Sequence, residues 1–405
     1  MDSNSVLIFL SVVVIFSYIF DLLAKRTKIP SVLLLFGTGL GLQYLLPTFG
    51  LAPLEVAGTL PIIGTLGLIL IVLEGALELR FEKDKLGLIR STLASGFFIL
   101  VITALAFTFL FQYIMHLPFQ LCLVNAIPLA IISSAIAIPS VAELGKGNKE
   151  FVIYETSFSD ILGIMFFNFA VSNKTFGFTS YLSLGKDIVV TSLLAIAISI
   201  LFLYLMKHIT HHIKFFLILA LLILVYAVAK SFHLSSLIIV LFLGLFLNNA
   251  QFIPIKKFQE VLVYNKLTND LHQFLQLTAE SAFIIRTFFF LIFGYYMDIQ
   301  SILNVTVAMN GLVLVALIYI IRGLYIKYVA KRSISPLAYI APRGLISILL
   351  FFSIPQDMRL DSNTDGLLLF VILATSLVMT FGLLRSKTEK PAVAPRSSAA
   401  PALES

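Results

Sequence analysis

Charged residues are scarce in this sequence. Of its 405 residues, 12% are Asp, Glu, Lys or Arg, where a soluble domain carries roughly 25%. The deficit excludes an ordinary soluble fold, because 59% of the chain is hydrophobic and its mean hydropathy is +1.02. Cysteine is almost absent: Cys122 stands alone, which rules out a disulfide framework and a cysteine-held metal cluster. There is no His-Glu-x-x-His motif, and no two apolar segments each carry an aspartate near their middle. The histidines fall mainly in polar stretches such as "KHITHH" at residues 207–212. These absences argue against an intramembrane protease, and we expect a protein that is not an enzyme. The N-terminal "MDSNSVLIFL" lacks basic residues ahead of its apolar run, which continues to about Leu23. It therefore reads as a span rather than a cleavable signal.

What is present is a series of apolar segments long enough to cross a bilayer as helices. Thirteen are marked, roughly at 5–24, 29–47, 59–79, 88–115, 119–144, 150–172, 187–206, 215–231, 234–250, 277–298, 302–328, 333–355 and 364–385. The expected fold class is thus an all-α polytopic membrane protein with about 13 transmembrane helices. The connecting loops give its orientation. Alternate loops carry Lys25, Arg26 and Lys28; Arg80, Lys83, Lys85 and Arg90; Lys146 and Lys149; Lys207 and Lys214; Lys256, Lys257 and Lys266; and Lys327, Lys331 and Arg332. The opposite loops hold only Lys174, Lys186, Lys230 and Arg359. By the positive-inside rule the N-terminus lies outside and the C-terminus in the cytoplasm, as expected in an inner (plasma) membrane. The net charge of +7 then reflects membrane orientation, and no nucleic-acid partner is expected. Residues 386–405, rich in Pro, Ala and Ser, read as a flexible cytoplasmic tail.

Arg286, Arg322 and Arg343 are the basic residues left inside spans. Each either snorkels to an interface or pairs with a buried carboxylate. Snorkelling suits Arg322 best, since it lies about two turns from the cytoplasmic end. Glu280 shares a span with Arg286, at a spacing poor for direct contact.

Internal repetition is visible. "LLLFGTGLGL" in the second span resembles "LIIVLFLGLFL" in the ninth, and "LILIVLEGALEL" in the third resembles "TFFFLIFGYYMDI" in the tenth. Spans two and nine run in opposite directions, the inverted-repeat pattern of secondary transporters. The fifth and twelfth spans become counterparts. The fifth has Pro128, Pro139 and the pair Ser133–Ser134; the twelfth has Pro342-Arg343-Gly344 at its middle. Proline removes a helix donor and glycine adds backbone freedom, so both spans are expected to break near the bilayer centre.

Two carboxylates lie in the sixth span, "FVIYETSFSDILGIMFFNFAV". Ionisable groups in a membrane are costly and mark function by default. Asp160, near mid-span, shares a helix face with Ser157 and Thr156. Glu155 points about 140° away and shares its face with Ser159. A carboxylate placed as Asp160 is can hold a proton or a small cation. Hard cations take oxygen ligands, and Ser157, Thr156 and broken-helix carbonyls of the fifth span are candidates to complete the shell. Glu155 reads as structural, paired with a membrane arginine. Glu74 in the third span is either a second site residue or gate, or it snorkels toward the basic loop after Arg80.

This arrangement resembles the monovalent cation/proton antiporter superfamily, closest to bacterial sodium/proton exchangers. The likeness covers about residues 5–385. It rests on "IPSVLLLFGTGLGL", "LILIVLEGALEL", the interrupted fifth span, "ETSFSD", "RTFFFLIFG" and "APRGLISI", in that order. The resemblance implies two inverted repeats with two broken, crossing helices, and a homodimer. It implies a dimerisation part at 1–79 and 215–298, a mobile core part at 88–172 and 302–385, and a linker helix at 187–206. It implies that Asp160 carries the ion and the proton, that Ser157 is a ligand, and that Glu155 pairs with Arg322. Glu74 matches an acidic residue beside the cytoplasmic access path, and Arg343 matches the arginine of the second broken helix. Two positions depart from the family pattern. Ser159 stands where relatives carry Asn or Asp, and "SSAIAIPS" lacks the acid of Thr-Asp-Pro; Ser133 and Ser134 are the hydroxyls of that crossover.

The function expected is exchange of a monovalent cation, Na+ or Li+, for H+, by elevator-type alternating access and with 1:1 electroneutral stoichiometry. The alternatives are a K+/H+ antiporter, which the serine-rich crossover favours, and a cation channel or sensor using the same buried acid. No cofactor is expected beyond the transported ions, and membrane lipids are the expected surroundings.

Overall fold

The computed structural model describes residues 3–27, 29–48, 59–79, 81, 83–173, 178–209, 214–232, 234, 236–360 and 363–386. The tail expected at 386–405 lies, from residue 387 onward, outside the described residues. The described residues are all-helical. In chain order the helices are α1 (Ser3–Thr27), α2 (Ser31–Thr48), α3 (Leu60–Glu78), α4 (Leu86–Met115), α5 (Phe119–Ala130), α6 (Ser134–Ser140), α7 (Lys146–Ser172) and α8 (Phe178–His208). They continue with α9 (Lys214–Ser231), α10 (Ser236–Asn249), α11 (Lys256–Leu262), α12 (Leu267–Tyr296), α13 (Gln300–Leu303), α14 (Val305–Leu324), α15 (Leu345–Phe352) and α16 (Asn363–Arg385).

Each apolar segment of the sequence coincides with one of these helices or with a broken pair. Among the described residues, nine helices are long and apolar enough to cross a membrane, or ten if α10 and α11, bent by 106°, form one span. α7 is not among them, because its polar residues lower its apolarity. Three boundaries differ from the sequence expectation. α8 begins at Phe178 rather than near residue 187. α12 begins at Leu267 rather than near residue 277, because "LTNDLHQFLQ" is too polar for hydropathy to mark. Its first turn is fixed by Asp270, which accepts from Lys214 Nζ at 2.6 Å and from the Tyr264 hydroxyl. The first half of the twelfth segment, though apolar, holds only a short 3-10 turn at Leu337–Tyr339; regular helix resumes at Leu345.

The helices pack in two groups. α12 lies against α2 and α3, and α10 against α3, α8 and α9. Separately, α4 packs on α5 and α7, α6 on α7, α14 on α16 and α4, and α15 on α5. The groups meet where α3 and α10 face α7 and α15. Close approach in the first group depends on glycine. A Cβ on Gly39 of α2 would strike the Leu291 carbonyl of α12, and one on Gly294 of α12 would strike the Phe36 carbonyl of α2. With no side chain at either place the two backbones come into direct contact, and the α2–α12 pair is a tightly joined support.

Candidate ion-binding site

α7 brings both carboxylates into the protein interior. Glu155 is 0% exposed and Asp160 4%. Their surroundings differ completely. Glu155 Oε2 accepts from Arg322 Nη2 at 2.8 Å and Oε1 from Nη1 at 3.2 Å, a two-pronged pairing of guanidinium and carboxylate. Ser95 of α4 donates to Oε1 at 2.5 Å. The remaining guanidinium nitrogen, Arg322 Nε, donates to Leu337 O at 2.9 Å. Arg322, in the last turn of α14, is itself 0% exposed. It does not snorkel; it closes an ion pair between α7 and α14.

Asp160 has a different set of partners. Its Oδ2 accepts from the Ser134 backbone N–H at 3.2 Å, at the start of α6. Its Oδ1 has no hydrogen-bond partner, and neither has Ser157 Oγ, one turn earlier on the same face. Asp160, Ser157 and Ser134 line a small cavity closed by Ile71, Val72, Gly75 and Ala76 of α3, Ile161 of α7 and Ile346 of α15. Among the described residues no cationic side chain lies within ion-pair distance of Asp160. Unsatisfied oxygen acceptors on residues that line a small cavity suit a small hard cation or a proton.

Two chain breaks cross beside this cavity. The first separates α5 from α6 at residues 131–133; the second precedes α15 at residues 340–344. A helix that stops inside a membrane leaves carbonyl and N–H groups that need partners. Ser133 N donates to Pro342 O at 2.8 Å, tying the breaks to each other. Ile132 N donates to Ser159 Oγ at 3.0 Å, tying the first break to α7. Arg343, 0% exposed, serves the end of α5: Nε donates to Leu129 O at 2.9 Å and Nη2 to Ala130 O at 3.1 Å. Its Nη1 donates to Ala341 O at 2.7 Å, and its backbone N–H to Thr375 Oγ1 at 3.1 Å. A cation at the C-terminal end of a helix also complements the helix dipole. At Gly344 the crossing is so tight that a Cβ would meet Ser133 Oγ and Ile136.

The candidate residues therefore separate. Asp160, Ser157 and Ser134 share the cavity. Thr156 turns its hydroxyl to Val152 O of its own helix at 2.8 Å, and the Ser159 hydroxyl is occupied by Ile132 N–H. Ser133 Oγ is buried without a partner at the crossing, outside the cavity wall. Glu74 lines a neighbouring cavity with Gly75 and Glu78 of α3, Ser134, Ala135, Ile138 and Pro139 of α6, and Arg286 of α12. A third cavity, bounded by Asp21, Pro30, Ala135, Pro139 and Glu143, adjoins it through Ala135 and Pro139. Sequence reasoning missed Ser95 and offered Arg286 only Glu280 of its own span, where the structure gives it Ala135 O. Ser95 had a signal: Thr92, Ser95 and Thr103 form a buried polar stripe on α4 at helical spacing.

Comparison with known proteins agrees with this geometry. The family model for the sodium/hydrogen exchanger, transmembrane, matches residues 11–385. Two structures of the sodium proton antiporter MjNhaP1 from Methanocaldococcus jannaschii share the fold. One, at pH 8, has a TM-score of 0.66 and 20% identity and covers 95% of each chain. The other, an electron-microscopy map, has a TM-score of 0.69 and 19% identity and covers 94% of this chain and 95% of the other. No curated protein matches the sequence. With the family match spanning the helices that build both chain breaks and the cavity, the chain belongs to the sodium/hydrogen exchanger family and is a multi-pass membrane protein.

Proposed function

We propose that this protein exchanges Na+ or Li+ for H+ with 1:1 stoichiometry, Asp160 carrying either ion in turn. The observation that carries the reading is the pair of buried, unpartnered oxygens, Asp160 Oδ1 and Ser157 Oγ, on two residues that line one small cavity at the crossing of two broken helices. One proton or one monovalent cation neutralises Asp160 equally. Glu155, locked to Arg322, takes no part, and the hydroxyl of Ser159 does not titrate. The loaded site then has the same charge on both journeys.

Alternating access follows in this reading from movement of the second packing group against the first. The tight α2–α12 contact supports a stationary part, and the bonds joining both breaks to α7 support a core that moves as a body. That division follows 1–79 and 215–298 against 88–172 and 302–385, with 187–206 inside α8 as the linker. A homodimer formed through the stationary part, an outside N-terminus and a cytoplasmic C-terminus complete the proposal. The three adjoining cavities run from the α1–α2 connection to Asp160, which is the cytoplasmic side in this orientation.

Purified protein in liposomes tests the reading. Na+ or Li+ gradients should drive saturable proton movement, with K+ and Rb+ weak. A preference for K+ would reassign the cargo, and a conductance that does not saturate would indicate a channel.

A further inference from the structure

Arg286 is used by none of the chemistry above, yet it joins the two packing groups. It sits on α12, and its Nη1 donates to Ala135 O of α6 at 3.2 Å. The reason that carbonyl is free lies in the sequence. In a regular helix Ala135 O would accept from the N–H four residues later, but that residue is Pro139, which has none. The proline of "SSAIAIPS" thus exposes an acceptor on the first turn of α6, one residue after the Ser134 that holds Asp160, and an arginine from the other group fills it. Glu74 and Glu78 of α3 face the same cavity as the guanidinium and belong to the packing group of α12.

From this geometry we infer that Arg286 is a positioning residue, a latch that holds the core in its cytoplasm-facing position through the carbonyl freed by Pro139. The inference rests on the alternating-access reading. When the core moves, Ala135 moves with it, and Arg286 on α12 does not. The bond breaks, and Glu74 and Glu78, which stay with α12, are the groups at hand to receive the guanidinium. The latch therefore stabilises one state without touching the transported ion. A charge-assisted bond of this kind biases two states by about tenfold or more.

The test is sidedness. Half-saturating Na+ concentrations are measured in everted and right-side-out vesicles, which present the cytoplasmic and external faces. Arg286→Met should raise the cytoplasmic-to-external ratio about tenfold, with the ion specificity unchanged. Arg286→Lys should hold the ratio near that of the wild type. Pro139→Ala, which restores an N–H to compete for Ala135 O, should raise the ratio on its own and add little to Arg286→Met. If Arg286→Met does not fold, the Pro139→Ala and Arg286→Lys arms decide. An unchanged ratio in Arg286→Met or in Pro139→Ala overturns the latch. So does a ratio that falls, which would make Arg286 only a charge barrier, and so do additive effects of the two substitutions. Absence of cation-driven proton flux in wild-type vesicles of both kinds is a separate result: it removes the exchange reading itself, and the latch with it.

Discussion

Glu155 and Asp160 lie five positions apart on one helix and are both buried, but they have opposite fates. Glu155 has two guanidinium contacts and a serine hydroxyl. Asp160 has the backbone amide of one serine, and one oxygen with no partner. Burial is the same for both, so burial is not what separates structure from function. The difference is satisfaction. A carboxylate with both oxygens held by fixed protein groups has little to offer an ion. One with an oxygen left unpartnered on a cavity-lining residue meets what the proposed exchange requires.

Six substitutions and one flux measurement sharpen that contrast. Asp160→Asn should abolish cation-driven proton flux in proteoliposomes while thermal unfolding stays near that of the wild type. Flux near the wild-type rate would end its role as carrier. Glu155→Ala should do the reverse, lowering stability strongly, because stranding the charge on Arg322 costs about 3–5 kcal/mol. A cycle with Arg322→Met, read by thermal unfolding, should show strong coupling, and additive losses would reject the pair. Ser159→Ala removes the acceptor of Ile132 N–H and should cost about 1–3 kcal/mol, seen as a lowered denaturation midpoint. Ser157→Ala, which deletes a free hydroxyl from the cavity, should raise the half-saturating Na+ concentration several-fold and leave stability unchanged. The smallest expected effect is none at all. With Na+ at equilibrium and the potential clamped by valinomycin, no steady proton flux should develop, in the wild type or in Glu74→Gln. A potential-driven pH gradient that vanishes in Glu74→Gln would add a second titrating carboxylate to the cycle.

The α7 carboxylates were legible because apolar sequence makes each charge conspicuous. Their different roles were only partly so. Helical spacing separates Glu155 from Asp160 by direction, but it does not name Arg322, 167 residues away; only the family resemblance did. Spacing placed Thr156 on the face of Asp160 and Ser159 on that of Glu155. In the structure the Thr156 hydroxyl donates to Val152 O and the Ser159 oxygen accepts from Ile132 N–H. Both partners are backbone groups: Val152 O belongs to the same unbroken helix, while Ile132 N–H is released by the break before α6, at a position that residue type does not mark. Arg343 and Arg286 were unassigned by spacing for the same reason: they bond carbonyls of Leu129, Ala130, Ala341 and Ala135. The prolines announced the breaks, but the atoms they released became visible only in three dimensions. Hydropathy failed where polarity and shape disagree, at the polar start of α12 and the apolar but largely non-helical stretch before Leu345.

The deep Glu155–Arg322 pair also has a history during synthesis. α7 is too polar to count among the helices that cross a membrane by length and apolarity alone. Ser95 precedes it in the chain, as does Ile132, so part of its polar face finds partners as it emerges. Arg322 comes 167 residues later, on the order of ten seconds or more at about 5–20 residues per second on the ribosome. Through that interval the nascent chain holds a carboxylate still waiting for its counter-charge. The pair, and with it the tie between α7 and α14, can close only once α14 has been made.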